Sequence, residues 1–321
     1  MGRYIIRRIL FAILVVLLIT LIAFFIFYVM PPTDPVRRFA GRQPTPELLA
    51  EVRKQLGLDK SLLAQYGIFV KRLFLGDEFG WPGLGFSFNT RSPVRPEMIQ
   101  RGAITLQLAV GAAVVWLVMG ITIGIVSAIK RRSWVDRASM GFALFGVSAP
   151  VFWLGLMALF IFWQQLELLP GTGYTPFRED PVDWFAHMIL PWVVLALLYA
   201  AFYARMVRGN LLETMSEDYI RTARAKGLSE RKVVGKHALR AGLTPIVTLF
   251  GVDFGLLIGG AVITETVFNL RGLGSWVVQS VRTGDIPVQL AVTVFTALAV
   301  TLFSLVVDVL YAYLDPRVRY S

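Results

Sequence analysis

ITLQLAVGAAVVWLVMGITIGIVSAI, residues 104–129, runs without one charged side chain and is followed at once by Lys130, Arg131 and Arg132. About 20 apolar residues in a helix cross the ~30 Å hydrocarbon core of a bilayer. The same signature recurs outward in both directions, at 9–30, 138–163, 187–206, 246–267 and 289–313. The expected fold is therefore an all-α polytopic membrane protein with six transmembrane helices. A transmembrane barrel would show alternating segments of about 10 residues instead.

Composition agrees. Of 321 residues 56% are hydrophobic, and mean hydropathy is +0.63. Cysteine is absent, which excludes a disulfide framework, a thiolate metal site and a cysteine nucleophile. Two histidines, His187 and His237, leave few metal ligands or general bases. The net charge of +11 fits basic loops facing anionic lipid better than nucleic acid.

The basic residues also set the orientation. Arg3, Arg7 and Arg8 precede the first span. Lys130, Arg131, Arg132 and Arg137 separate the second and third. A run from Arg208 to Arg240 separates the fourth and fifth, and Arg317 and Arg319 follow the sixth. Threading six spans puts all of them on one side, so by the positive-inside rule both termini are cytoplasmic. The first apolar run ends at Pro31-Pro32 with no small-residue cleavage site, which fits an uncleaved span better than a signal peptide.

Three regions follow: residues 1–30, the N-terminal flank and first span; 31–103, an extracytoplasmic helical segment between helices 1 and 2; and 104–321, the core with its loop at 207–245. In the outer segment, Thr45-Pro46-Glu47 reads as a helix start. Leu48, Leu49, Val52 and Leu56 fall on one face, and Gly57 ends the helix. A second amphipathic stretch runs from about Lys60 to Phe74, and residues 79–87 read as a loop.

Several chemistries have no residues to carry them. Gly235-Lys236 is followed by His237, so no phosphate-binding G-x-x-x-x-G-K-[ST] loop is present, and there is neither an H-E-x-x-H nor a G-x-S-x-G. No catalytic set and no metal site are expected. Of the acids, Asp253 lies in the inner half of span five, Glu265 at its outer end and Asp308 near the cytoplasmic end of span six. A mid-membrane charge costs about 2.5–3.5 kcal/mol on insertion scales. Asp253 thus reads either as the polar partner of a neighbouring helix or as an ion site. The second reading would make the chain an ion-coupled secondary transporter.

The loop at 207–245 is the most informative cytoplasmic segment. Ser216-Glu217-Asp218 starts a helix, helix formers run to Lys226, Gly227 stops it, and Ser229 caps another. The expected product is a short helical projection with a glycine elbow and small residues (Ala223, Ala225) beside it. The residues Asp218-Tyr219-Ile220-Arg221-Thr222-Ala223-Arg224-Ala225-Lys226-Gly227-Leu228 resemble the D-Y-x-R-T-A-R-A-K-G-L run of ABC importer permeases of the dipeptide/oligopeptide/nickel branch. The general pattern of those permeases, E-A-A, three residues, G, nine residues, I-x-L-P, is met by Ala223 and Gly227 but not at Arg221 or Arg240.

Leu56-Gly57-Leu58-Asp59, Ser148 to Gly155, His187 to Pro191, Glu265 to Phe268, Gly272-Leu273-Gly274, Asp285-Ile286-Pro287 and Asp315-Pro316-Arg317 resemble further pieces of the same branch, in order. Asp253 and an apparent insertion at Glu78–Gly83 depart from it.

The resemblance implies a type I permease, a B-type subunit in a bacterial or archaeal cell (inner) membrane, translocating peptides or a related small solute. Its implied partners are a C-type permease, two ABC ATPases, an extracytoplasmic substrate-binding protein and membrane lipid, with no nucleic acid. It implies that ATP and Mg are bound by the partner ATPases, with no cofactor on this chain. It implies that Asp218, Tyr219, Arg221, Thr222, Ala223, Arg224, Ala225, Lys226, Gly227 and Leu228 form the coupling contact to the ATPase, and that Glu265, Phe268, Gly272, Leu273 and Asp285 lie near an outer gate.

Overall fold

A computed structural model describes residues 2–30, 36, 45–87, 89–258 and 261–314. Pro31-Pro32 and Asp315-Pro316-Arg317 lie outside these, as do the side chains of Asp308 and Tyr311. The helices are α1 (Gly2–Phe24, running into a π turn, Phe25–Val29), α2 (Pro46–Leu56), α3 (Leu62–Leu75), α4 (Val94–Ile129), α5 (Trp134–Ser148), α6 (Val151–Gln165), α7 (Pro181–Thr214), α8 (Asp218–Ala225), α9 (Glu230–Gly242), α10 (Thr244–Ile258), α11 (Val262–Val267), α12 (Leu273–Thr283) and α13 (Ile286–Leu314). A two-residue antiparallel pair, β1 (Phe86–Ser87) with β2 (Ser92–Pro93), interrupts the expected loop.

Among the described residues, four helices are long and apolar enough to cross a membrane, and two bent pairs, counted as one span each, bring the total to six. Three expected spans differ in detail. The third is broken: α5 and α6 meet at 105°, because Pro150 offers no N–H and holds Ala149 extended (φ −78°, ψ 128°). The fifth is not one helix over 246–267, since Ala261 lies outside any helix, between α10, described to Ile258, and the separate α11. The fourth starts earlier than residue 187. Asp180 Oδ1 accepts from the Val182 and Asp183 amides at 2.9 and 3.1 Å, and Pro181 follows it, so α7 gains turns before its apolar run.

The chain divides into two compact units. The first comprises Met1–Leu106, Gly255–Val262 and Arg271–Ser321. Within it α1 lies along α13 and also meets α3. Phe24 stacks on Tyr28 at 4.8 Å and meets Tyr66 edge-on at 5.5 Å. The start of α2 follows its sequence: Thr45 Oγ1 accepts from the Leu48 amide at 3.3 Å, Pro46 opens the helix, and Gly57 closes it at φ 65°. Val52, fully buried, sends this amphipathic helix into the α1–α13 core.

The second unit comprises Gln107–Phe254 and Ile263–Leu270. Here α5 lies along α7, and α4 approaches α7 through small residues. A Cβ on Gly120 would sit 2.8 Å from Tyr203 Cβ and 3.1 Å from the Ala200 carbonyl; one on Gly124 would sit 2.7 Å from the Ala204 carbonyl. Glycines and alanines four residues apart on facing helices thus bring the backbones together, where lipid supplies no hydrophobic drive and contact area decides.

Candidate functional site: the cytoplasmic elbow and its base

The base is built first. Ser133 caps α5, accepting from the Asp136 amide at 3.3 Å. That fixes Asp136 in the first turn, 5% exposed. Its carboxylate accepts Ser127 Oγ of α4 at 2.5 Å, the Arg132 amide at 2.9 Å, and Arg208 of α7 through Nε at 2.7 Å and Nη2 at 2.9 Å. One acid therefore joins α4, α5 and α7 where each leaves its apolar run. A bidentate guanidinium pair fixes orientation as well as charge.

The elbow grows from the end of α7. Its start is one residue later than expected. Glu217 occupies the cap position, and Ser216 Oγ instead donates back to the Glu213 carbonyl at 2.6 Å. Ile220 and Ala223, on the inner face of α8, pack with Ala128, Leu211, Val233 and Ala238. At Gly227 the chain takes φ 77°, the left-handed region that glycine enters at no steric cost. The Gly227 amide donates to Arg224 O at 2.9 Å. Arg224 Nε reaches across the bend to Glu230 Oε1 at 2.7 Å.

This geometry sorts the ten candidate coupling residues. Asp218, Tyr219, Arg221, Thr222, Arg224, Ala225, Lys226 and Gly227 are exposed, Leu228 is half-buried, and Ala223 is buried in the chain's own core. The exposed Arg221–Asp218 pair, at 3.3 Å, contributes little to stability. Tyr219 is 46% exposed. Partial burial and the nearby Glu217 carboxylate push its hydroxyl pKa up, so it is neutral at working pH. A Cβ on Gly227 would meet nothing within 4 Å.

The five outer residues fall in different units. In the second unit Glu265 is fully buried. Phe268 is buried beside Gly155, and its carbonyl accepts the Gly173 amide at 2.9 Å. In the first unit Gly272 precedes α12, and the Leu273 amide donates to Thr105 Oγ1 at 2.8 Å. Asp285 accepts Ser87 Oγ at 2.5 Å; burial pushes its carboxyl pKa up, against the pull of the Ser87 hydrogen bond. Within the second unit Asp253 accepts Tyr203 Oη at 2.7 Å, the neighbouring-helix partnership expected for an intramembrane acid.

Sequence reasoning missed Asp136. Its signal was a single acid between Arg132 and Arg137 in the shortest basic loop, four residues after an arginine and three after a capping serine.

Comparison with known proteins gives the family. Residues 120–320 match the family model "binding-protein-dependent transport system inner membrane component", and residues 1–109 match its N-terminal companion. The chain belongs to this family. It is an ABC importer permease, and nothing supports an ion-coupled carrier. It is 36% identical to the dipeptide transport system permease protein of Alkalihalophilus pseudofirmus and 40% identical to the glutathione transport system permease protein of an Escherichia coli O6:H1 strain, with all of each chain covered in both comparisons. The solved inward-facing MetNI methionine ABC transporter matches with a TM-score of 0.56 at 20% identity, over 68% of this chain and 96% of that one. That last likeness concerns the fold.

Proposed function

We propose that this permease carries peptides, or a close small relative, from a substrate-binding protein into the cell, driven by ATP that partner subunits hydrolyse. The observation that carries the coupling part of this reading is the exposed α8–Gly227 elbow mounted on a buried base. The relatives named for dipeptide and glutathione transport, similar over all of the chain, carry the substrate class.

In this reading a C-type permease completes the membrane path and two ABC ATPases dock on the elbows. The basic segments face the cytoplasm with both termini, and ATP and Mg stay on the ATPases. This chain then has no catalytic residue. Closure of the ATPases moves α8. Ile220 and Ala223 bind α8 to the ends of α4 and α7, and the Asp136–Arg208–Ser127 contacts join those ends to α5. A push on the elbow therefore becomes a rotation of helices rather than a local bend. The segment with Glu265, Phe268, Gly272, Leu273 and Asp285 serves as the outer gate, its buried anchors giving a moving rim fixed points. ATP-dependent crosslinking from these positions tests that role.

The function itself is tested with the complete transporter in proteoliposomes and labelled di-alanine. Uptake that requires ATP and binding protein and survives an uncoupler is expected. Uptake that collapses with an uncoupler, or proceeds without ATP, overturns the proposal.

A further inference from the structure

Asp253 sits in α10 beside a set of aromatic rings, all within the second unit. Tyr203 Oη donates to its carboxylate at 2.7 Å. Trp116 stacks on Tyr199 at 4.7 Å and lies 6.0 Å from the Tyr203 ring and 5.8 Å from Phe250. Trp116 and Tyr203 are fully buried, whereas Tyr199, Phe250 and Asp253 are partly accessible. Tyr203 ties the acid to this ring set.

The acid of this group is incompletely partnered. A carboxylate offers about four acceptor positions, yet among the described residues Tyr203 is the only side chain that donates to Asp253, and no cation forms an ion pair with it. A charge in an apolar span normally faces a cavity or a partner. Tryptophan and tyrosine faces attract cations, most strongly where water is scarce. An acid with one neutral donor, edged by accessible rings, is the complement of a compact cation carrying several N–H donors.

We propose that Asp253, with Tyr199, Phe250 and the underlying Trp116 and Tyr203, binds the amino-terminal ammonium of the peptide as it passes through the permease. This deepens the import reading and rests on it. The ammonium donates to the free lobes of the carboxylate while the rings face its charge. Tyr203 keeps the acid in place without neutralising it, so the site holds a cation and releases it again. A lysine or arginine of the second permease is the rival occupant, and the test separates the two.

The experiment uses the purified complete transporter grown with 5-fluorotryptophan. The Trp116 fluorine resonance is identified by its loss in Trp116→Phe, and the probe is tri-alanine against N-acetyl-tri-alanine. The expected result is a saturable shift of that resonance with tri-alanine and none with the acetylated peptide. Asp253→Asn keeps the acceptor for Tyr203 but not the charge, and is expected to need at least about tenfold more tri-alanine, as loss of a charge-assisted hydrogen bond implies. Asp253→Glu retains the response. No shift, equal shifts with both peptides, or an unchanged response in Asp253→Asn overturns the site. ATP-driven di-alanine uptake is read on the same preparation. A shift without uptake sinks the import reading and leaves the ammonium site standing; uptake without a shift does the reverse.

Discussion

Gly227 separates two explanations of the elbow. Its φ of 77° lies in the left-handed region, where a residue with a Cβ pays about 1–2 kcal/mol and asparagine pays less. A Cβ there meets nothing within 4 Å, so no clash inside the chain adds to that figure. Because 1.4 kcal/mol is a factor of ten, Gly227→Ala should weaken ATPase docking about five- to thirtyfold if the left-handed elbow is what docks. Gly227→Asn should be milder than Gly227→Ala although its side chain is larger, and Gly227→Val should be the worst. The assay is recovery of the ATPases with the tagged permease over a concentration series, alongside ATP-driven uptake. Membrane insertion should be normal in all three, since the site is exposed. An order set by size, with asparagine worse than alanine, would refute the backbone argument and point to direct contact with the partner. Wild-type docking in all three would refute the role of the elbow.

Three further outcomes follow from other sites. Asp136→Ala leaves the Arg208 guanidinium, a quarter exposed, without its carboxylate. It should cost about 3 kcal/mol, the lower end for breaking a buried pair, read as a lower thermal midpoint and a looser response of transport to ATP hydrolysis. Gly111→Ala would put a Cβ 2.0 Å from Trp192 and should destabilise by about 1–3 kcal/mol through overpacking, whereas Gly209→Ala, with nothing within 4 Å, should be neutral or gain up to about 1 kcal/mol from helix propensity; thermal unfolding of the two variants compares them. Asp285 has a raised carboxyl pKa in the folded state, so folding binds a proton there. Its stabilising effect is present at acid pH and is lost as pH rises through the folded value. Hydrogen exchange at β1 and β2 should therefore quicken as pH rises through that window, after correction for intrinsic rates, and Ser87→Ala, which removes the opposing hydrogen bond, should move the window upward.

Much of this architecture is legible in the residues. Apolar length gave the spans, and the Thr45-Pro46 and Gly57 pair gave both ends of α2. Local chemistry decides those features: bilayer thickness, cap hydrogen bonds, glycine's access to positive φ. The elbow is legible for the same reason, its position within one residue. Features set by tertiary packing are not. Pro150 could have been a mild kink, and the 105° turn depends on what α6 packs against. The Gly120 and Gly124 contacts with Ala200 and Ala204 need the pairing of α4 with α7, which no local pattern supplies. Asp136 looked like one more loop residue because its partner, Arg208, lies in a helix end more than seventy positions later. Ala223 reads in the sequence only as a small residue beside the elbow; that its side chain also packs α8 against its own base depends on tertiary contacts.

The most direct measurement is to tag this chain, release it gently from native membranes and identify what remains bound. The account predicts a second six-span permease together with subunits bearing phosphate-binding ATPase loops, with ATPase recovery falling when Gly227 is replaced by valine while the second permease is retained. A chain that purified alone, and still moved solute down an ion gradient without ATP, would contradict it.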